Sequence, residues 1–152
     1  MKSYNIHFIR HGEIAETQNG AYIGVTDCSL SPKGREDLIN FDKQYKYPYA
    51  AVLFSSPLKR CIETCNIIYP SVNPIIVDEL AETDFGLWEG KTAEDLKCDP
   101  DFNKWLSGDT SVAPPNGESS ADFTRRVCLM FHKIVDGLIS TGNTEAVIVT
   151  HG

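Results

Sequence analysis

The sequence lacks any apolar run near the ~20 residues that a membrane-crossing helix requires, which excludes a span of that kind. The apolar part of the first ten residues is too short for a secretory leader and is interrupted by His7 and Arg10. A cytoplasmic protein is therefore the expectation. Cysteine is sparse and unpatterned: Cys28, Cys61, Cys65, Cys98 and Cys128 are odd in number and show no paired CxxC or Cys/His spacing of the zinc type. Cys61 and Cys65, four apart on an expected helix, read as two small buried side chains on one face rather than a redox or metal pair. Basic charge is short, with 14 Lys and Arg against 21 Asp and Glu. An extended basic surface for a nucleic acid is thereby excluded, and any bound phosphate must sit in a local cationic pocket. No composition shift or low-complexity stretch divides the chain, so a single domain over 1–152 is expected.

The most informative feature present is a pair of histidines, one after the first strand-like run and one after the last. Tyr4 to Ile9 leads into Arg10-His11-Gly12-Glu13, and Ala146 to Thr150 leads into His151-Gly152. Between them, Ser31-Pro32 predicts a helix start with Leu38 and Phe41 on its apolar face, weakened by Gly34. Tyr49 to Phe54 reads as a strand, and Ser56-Pro57 as a second Ser-Pro helix start. Leu58, Cys61, Ile62, Cys65 and Ile68 mark that helix's face until Pro70. Ile75 to Val77 is a short strand-like run, and Ala81 to Gly117 is irregular apart from a helix from Pro100 to Leu106. The longest helix is expected from about Ser119 to Ser140, with Phe123, Val127, Met130, Phe131, Ile134 and Leu138 at helical spacing and Gly142 as its stop. Alternating strands and helices imply an α/β fold of three layers, α/β/α, around a mostly parallel central sheet.

Ligands of such sheets bind beyond the carboxyl ends of the strands, so two imidazoles and an arginine delivered there suggest one anion site. Arg60 follows the Ser-Pro element, where it either faces the same crevice or pairs with Glu63 along its helix. Glu82, in the string Leu80 to Gly90, is a candidate acid with rivals in Glu79, Asp84 and Glu89. Glu118 either caps the long helix or neutralises a nearby arginine. His7 and His132 read as structural, Trp88 and Trp105 as packing residues.

With these motifs in order, the chain resembles the histidine phosphatases of the phosphoglycerate-mutase-like superfamily (branch 1). The matching elements are Arg10-His11-Gly12, Ser55-Ser56-Pro57-Leu58-Lys59-Arg60, the acid loop Glu82 to Gly90, Gly117-Glu118-Ser119 and Thr150-His151-Gly152. The resemblance implies a phosphomonoester hydrolase without metal or cofactor. In it, His11 is the nucleophile, Glu82 the general acid and base, and Arg10, Arg60 and His151 neutralise the phosphoryl oxygens. It also places phosphate contacts at Thr17, where the family commonly has Asn, and at Ile23 and Gly24. Asn19 from a shifted loop is an alternative to Thr17. Partial burial of Glu82 beside Phe85 and Trp88 is expected to raise its pKa. The arginines are expected to keep His11 neutral.

The short stretch between Gly90 and Pro114 favours a phosphatase over a mutase, since a more open site admits water. Small members with the Tyr22-Ile23-Gly24 loop and the Asp84-Phe85-Gly86 run look like α-ribazole phosphatases, which implies a small phosphorylated metabolite as partner. A broad-specificity sugar or nucleotide phosphatase or a phosphoglycerate mutase is the enzymatic alternative, and a truncated phosphate-binding or scaffold protein the non-enzymatic one. Family members continue past the second His-Gly into a helix and a strand. On that pattern the His151 strand is expected to lack a neighbour on one side, which would favour homo-oligomers through a bare edge.

Overall fold

The computed structural model describes residues 2–15 and 20–152. Among them runs a four-stranded, wholly parallel sheet in the order β1-β4-β2-β3. The strands are β1 (Asn5–Arg10), β2 (Val52–Ser55), β3 (Ile75–Ile76) and β4 (Glu145–Thr150). Ala146, Val147, Ile148 and Val149 are all buried, as an unbroken apolar run in a strand covered on both faces should be. The helices are α1 (Pro32–Tyr45), α2 (Lys59–Ile68), α3 (Ala93–Leu96), α4 (Pro100–Leu106) and α5 (Ser120–Thr141). On one face Cys61 and Cys65 of α2 pack with Leu53, Val147 and Val149. On the other, Ile134 and Leu138 of α5 meet Ala146 and Ile148. This is the expected α/β/α layering.

The strand carrying His151 departs from expectation. β4 lies inside the sheet, paired with β1 along one side and with β2 along the other, and the sheet's edges are β1 and β3. The reason lies in burial: β4 is apolar on both faces, whereas β3 exposes Ile75 and Ile76. The strand expected from Tyr49 begins instead at Val52, whose partner Ala146 is nearly the first residue of β4; Tyr49 is exposed.

Helix signals held where a side chain was free to cap. Ser31 accepts from the Gly34 N–H, Asp99 from Asp101 and Phe102, and Ser119 from Asp122, while Gly142 closes α5 in the left-handed region. Gly34, which weakens α1 by propensity, is required by packing, because a Cβ there would lie 2.3 Å from the Glu13 carbonyl oxygen. The Ser56-Pro57 signal does not open α2. That helix begins at Lys59 after an extended Leu58 with no side-chain cap, because the Ser56 hydroxyl is engaged at the sheet's end. α3, with its Thr92/Asp95 capping box, lies inside the stretch read as irregular.

Candidate active site

The parallel pairing of β1 with β4 places Arg10 opposite Thr150, so the two histidines leave adjacent strands at the same level. The His11 N–H donates to the Thr150 carbonyl at 3.0 Å, extending the ladder by one bond. The imidazole rings face each other edge to face with centroids 5.2 Å apart. His11 Nδ1 lies 2.7 Å from the Gly12 carbonyl oxygen. A carbonyl only accepts, so Nδ1 carries the proton and the lone pair is on Nε2. Burial, before all else, holds His11 down to about 4; the bond to Gly12 opposes that shift, and Arg60 and Arg10 add to it. The neutral ring was expected, but desolvation outweighs the arginines that were expected to cause it.

His151 is fixed by the Ser-Ser-Pro element. Its Nε2 is 2.8 Å from Ser56 Oγ, which accepts weakly from the Leu58 N–H and can give its own proton to that nitrogen. The Cys61 sulfur lies 3.6 Å from the same nitrogen. With Nε2 accepting, the proton of His151 resides on Nδ1. Burial first, then Arg60, His11, Arg10 and Arg126, holds His151 down to about 3.

Arg60 is only 1% exposed. It donates to the Thr26 carbonyl at 2.9 Å and to the Gly24 carbonyl at 2.6 Å. The alternative pairing with Glu63 does not occur, because that carboxylate takes Arg35 at 2.6 Å and the Leu30 N–H at 2.9 Å. Among the described residues, the buried side-chain polar atoms without a partner are Arg60 Nε and His151 Nδ1. Both are donors, and a buried donor left unpaired costs about 1–3 kcal/mol. Arg10 lies against Gly152, where a Cβ would come within 3.0 Å of its guanidinium carbon, and its charge acts on His11, His151 and Glu82.

Glu82 shares a cavity of about 280 Å³ with His151, walled by Phe8, Leu80, Phe123 and Val127. Burial pushes its carboxyl up, against the Thr83 N–H that donates to it at 2.8 Å and against Arg60 and Arg10. The apolar neighbours are not the expected ones. Phe85 and Trp88 belong to a separate aromatic cluster with Tyr22, Phe102 and Trp105. Two of the three rivals of Glu82 are occupied elsewhere: Asp84 accepts from the Gly86 N–H, and Glu89 from Gly24, Val25, Thr26 and Phe85.

His11, His151, Arg10, Arg60 and Glu82 therefore converge at one end of the sheet. Ile23 and Gly24 are the other expected phosphate contacts. The Ile23 side chain packs on the cluster of Ile14, Leu30 and Leu38, and the Gly24 N–H is taken by Glu89 while its carbonyl seats Arg60. Thr17 and Asn19 lie outside the described residues. Sequence reasoning missed the parts played by Ser56, Glu89 and Arg126. Ser56 stood in a recognised element but was read as a cap. Arg126 carried no signal of its own beyond Glu118, whose second alternative, a nearby arginine to neutralise, is the pairing the structure shows. Among the described residues, no group of three or more His, Cys, Asp and Glu is placed to hold a metal ion, and no helix is long and apolar enough to cross a membrane.

The family model of the histidine phosphatase superfamily (branch 1) matches residues 6–152, and the chain belongs to that family. A bifunctional protein of Mycobacterium tuberculosis is 44% identical over 124 residues, a match spanning 78% of this chain and 34% of that protein. Phosphoserine phosphatase 1 of Hydrogenobacter thermophilus is 31% identical over 123 residues, spanning 78% of this chain and 58% of the enzyme. The chain thus spans well under two thirds of these curated relatives. The α-ribazole phosphatase from Shigella flexneri superposes with a TM-score of 0.84 at 25% identity, over 96% of this chain and 73% of that one.

Proposed function

We propose that this chain hydrolyses phosphomonoesters through a phosphohistidine formed on His11. The observation that carries the reading is the pair of buried donors without partners, Arg60 Nε and His151 Nδ1, set around an imidazole whose Nε2 lone pair is free. Three phosphoryl oxygens would satisfy such donors, and Arg10 supplies a further cation. His11 Nε2 then forms a bond to phosphorus as the ester P–O bond breaks, and Glu82 gives its proton to the departing oxygen. In the second half, Glu82 takes a proton from water, whose oxygen displaces the histidine and releases inorganic phosphate. Burial of Glu82 supports both roles, because a carboxyl pushed up keeps its proton to higher pH than a free one and recovers it more readily.

For the alcohol, the reading favours α-ribazole 5'-phosphate, supported by the likeness to the Shigella enzyme along nearly the whole chain. Phosphoserine is the competing substrate, favoured by the identity to the Hydrogenobacter enzyme. Rapid quench with radiolabelled substrate should trap an acid-labile, alkali-stable phosphoryl group on His11, absent from His11→Ala. Label on another residue, or turnover by that variant, would overturn the mechanism. A screen of both phosphates, with 3-phosphoglycerate as the mutase control, decides the substrate.

A further inference from the structure

The Arg126 side chain lies outside the sequence motifs yet binds two of them, the acid loop and Gly117-Glu118-Ser119. Its NH1 donates to the Glu79 carbonyl at 2.8 Å and to the Ala81 carbonyl at 2.9 Å; its NH2 donates to the Glu82 carbonyl at 3.0 Å. Nε and NH2 also fork onto the Glu118 carboxylate, with Nε at 2.9 Å from Oε2. The guanidinium is only partly exposed and lies 4.9 Å from the Phe123 ring centroid, the same ring that walls the cavity holding Glu82. Glu118 reaches the other side of the acid: the Asp84 N–H donates to its Oε1 at 3.1 Å, and its own N–H donates to the Asp84 carbonyl at 2.9 Å. Residues 79 to 84 are thus tied on both sides of Glu82 to one guanidinium–carboxylate pair at the start of α5.

The head of this segment is anchored, since Leu80 is buried in the core and its carbonyl takes the Thr150 hydroxyl at 3.2 Å, but the stretch beyond it that carries Glu82 has no regular structure. It follows a single 3₁₀ turn, Asp78–Leu80, and runs to another at Gly86–Trp88, with no strand or helix between. A backbone of that kind wanders unless its carbonyls are held. Arg is suited to the task where Lys is not, since five N–H groups in a rigid plane can bind three carbonyls and a carboxylate together.

We infer that Arg126, locked by Glu118, is a positioning residue that holds Glu82 in register with the phosphoryl site, and so sets how well the enzyme expels poor leaving groups. The inference rests on Glu82 being the general acid. An alkoxide needs its proton and a nitrophenolate does not, so misplacing Glu82 harms the first reaction and largely spares the second.

The test compares hydrolysis of glycerol 2-phosphate and 4-nitrophenyl phosphate by the full chain, Arg126→Lys, Glu82→Gln and the double variant. Arg126→Lys should lose ~10- to ~100-fold in kcat/KM, which reads phosphohistidine formation, on the glycerol ester and less than ~3-fold on the nitrophenyl ester. In the Glu82→Gln background, adding Arg126→Lys should cause no further loss on the glycerol ester, because both act through one group. Equal losses on the two esters, or full additivity in the double variant, overturn the proposal. If Glu82→Gln shows the leaving-group dependence and Arg126→Lys does not, the proposal fails while the reading of Glu82 stands. If Glu82→Gln shows none, both fall. Should Arg126→Lys not fold, Glu118→Gln reads the same clamp from its other end; if neither folds, Arg126 serves the fold and not the acid.

Discussion

At the scale of single residues, the candidate site is governed by which nitrogen or oxygen holds a proton. Two neighbours set the two tautomers in opposite senses: the Gly12 carbonyl leaves Nε2 of His11 open, and Ser56 leaves Nδ1 of His151 as a donor. In the proposed mechanism Glu82 then decides the pH range. His11 is held down to about 4, so its loss of nucleophilicity by protonation comes only well below neutrality. The acid must begin protonated, and its raised pKa sets the alkaline limit. Activity on an alkyl phosphate should therefore fall as pH rises past the Glu82 pKa, while activity on 4-nitrophenyl phosphate stays nearly level across that range. Glu82→Gln should flatten the alkyl profile and lower kcat/KM, which ends at phosphohistidine formation, by ~100-fold or more on the alkyl ester alone. Profiles of both esters for the two proteins check this, and an alkaline limb that survives the substitution would assign it to another group.

Among the elements, the loops carry more of the site than the helices that were easiest to read. Glu89 accepts from the Gly24 and Val25 N–H groups at 3.0 Å each and from the Thr26 hydroxyl. The carbonyls of Gly24 and Thr26 on that loop are the two seats of Arg60. The loops approach so closely that a Cβ on Gly24 would fall 1.8 Å from the Thr83 carbonyl oxygen. Glu89→Ala should lower stability by about 1–3 kcal/mol, through backbone donors left unpaired, and should also weaken vanadate inhibition by freeing Arg60 to shift. Melting curves and inhibition constants read the two effects separately; a stability loss with unchanged inhibition would show that Arg60 holds its place without this loop. The same contrast explains what the sequence disclosed. Caps at Ser31, Asp99 and Ser119 are local, so their helices were legible. Ser56 is the same residue type as two of those caps, but its partner is His151, ninety-five residues away. Arg126 and the apolar wall around Glu82 likewise depend on contacts between distant segments, and periodicity cannot report those. The pairing of β1 with β4 was unreadable as well, yet both histidines were found because each ends a strand.

At the scale of the whole molecule, the fold maintains a site that disfavours its own empty state. Two imidazoles are kept neutral, and two buried donors face no partner. An anion that binds only the folded chain stabilises it by about 2.7 kcal/mol at a hundredfold excess over its Kd. Vanadate, which adopts the five-coordinate geometry of the displacement, should raise the melting temperature more than phosphate does, with EDTA present throughout. The dependence on pH follows from the lowered pKa values. In the unfolded chain each histidine titrates near 6.5, whereas the fold holds them to about 4 and about 3. Between pH 6.5 and about 4 the unfolded state binds more protons, so this contribution to stability is complete above 6.5 and is lost as pH falls. Glu82 opposes it, since a raised carboxyl pKa favours the fold as pH falls through that value. The net expectation is a melting temperature that declines from pH 7 to 4, with a shallower slope in His11→Ala and in His151→Ala than in the parent. A slope unchanged by both substitutions would show that these rings titrate alike in the folded and unfolded chain, and would remove the desolvated, anion-seeking site on which the proposed chemistry depends.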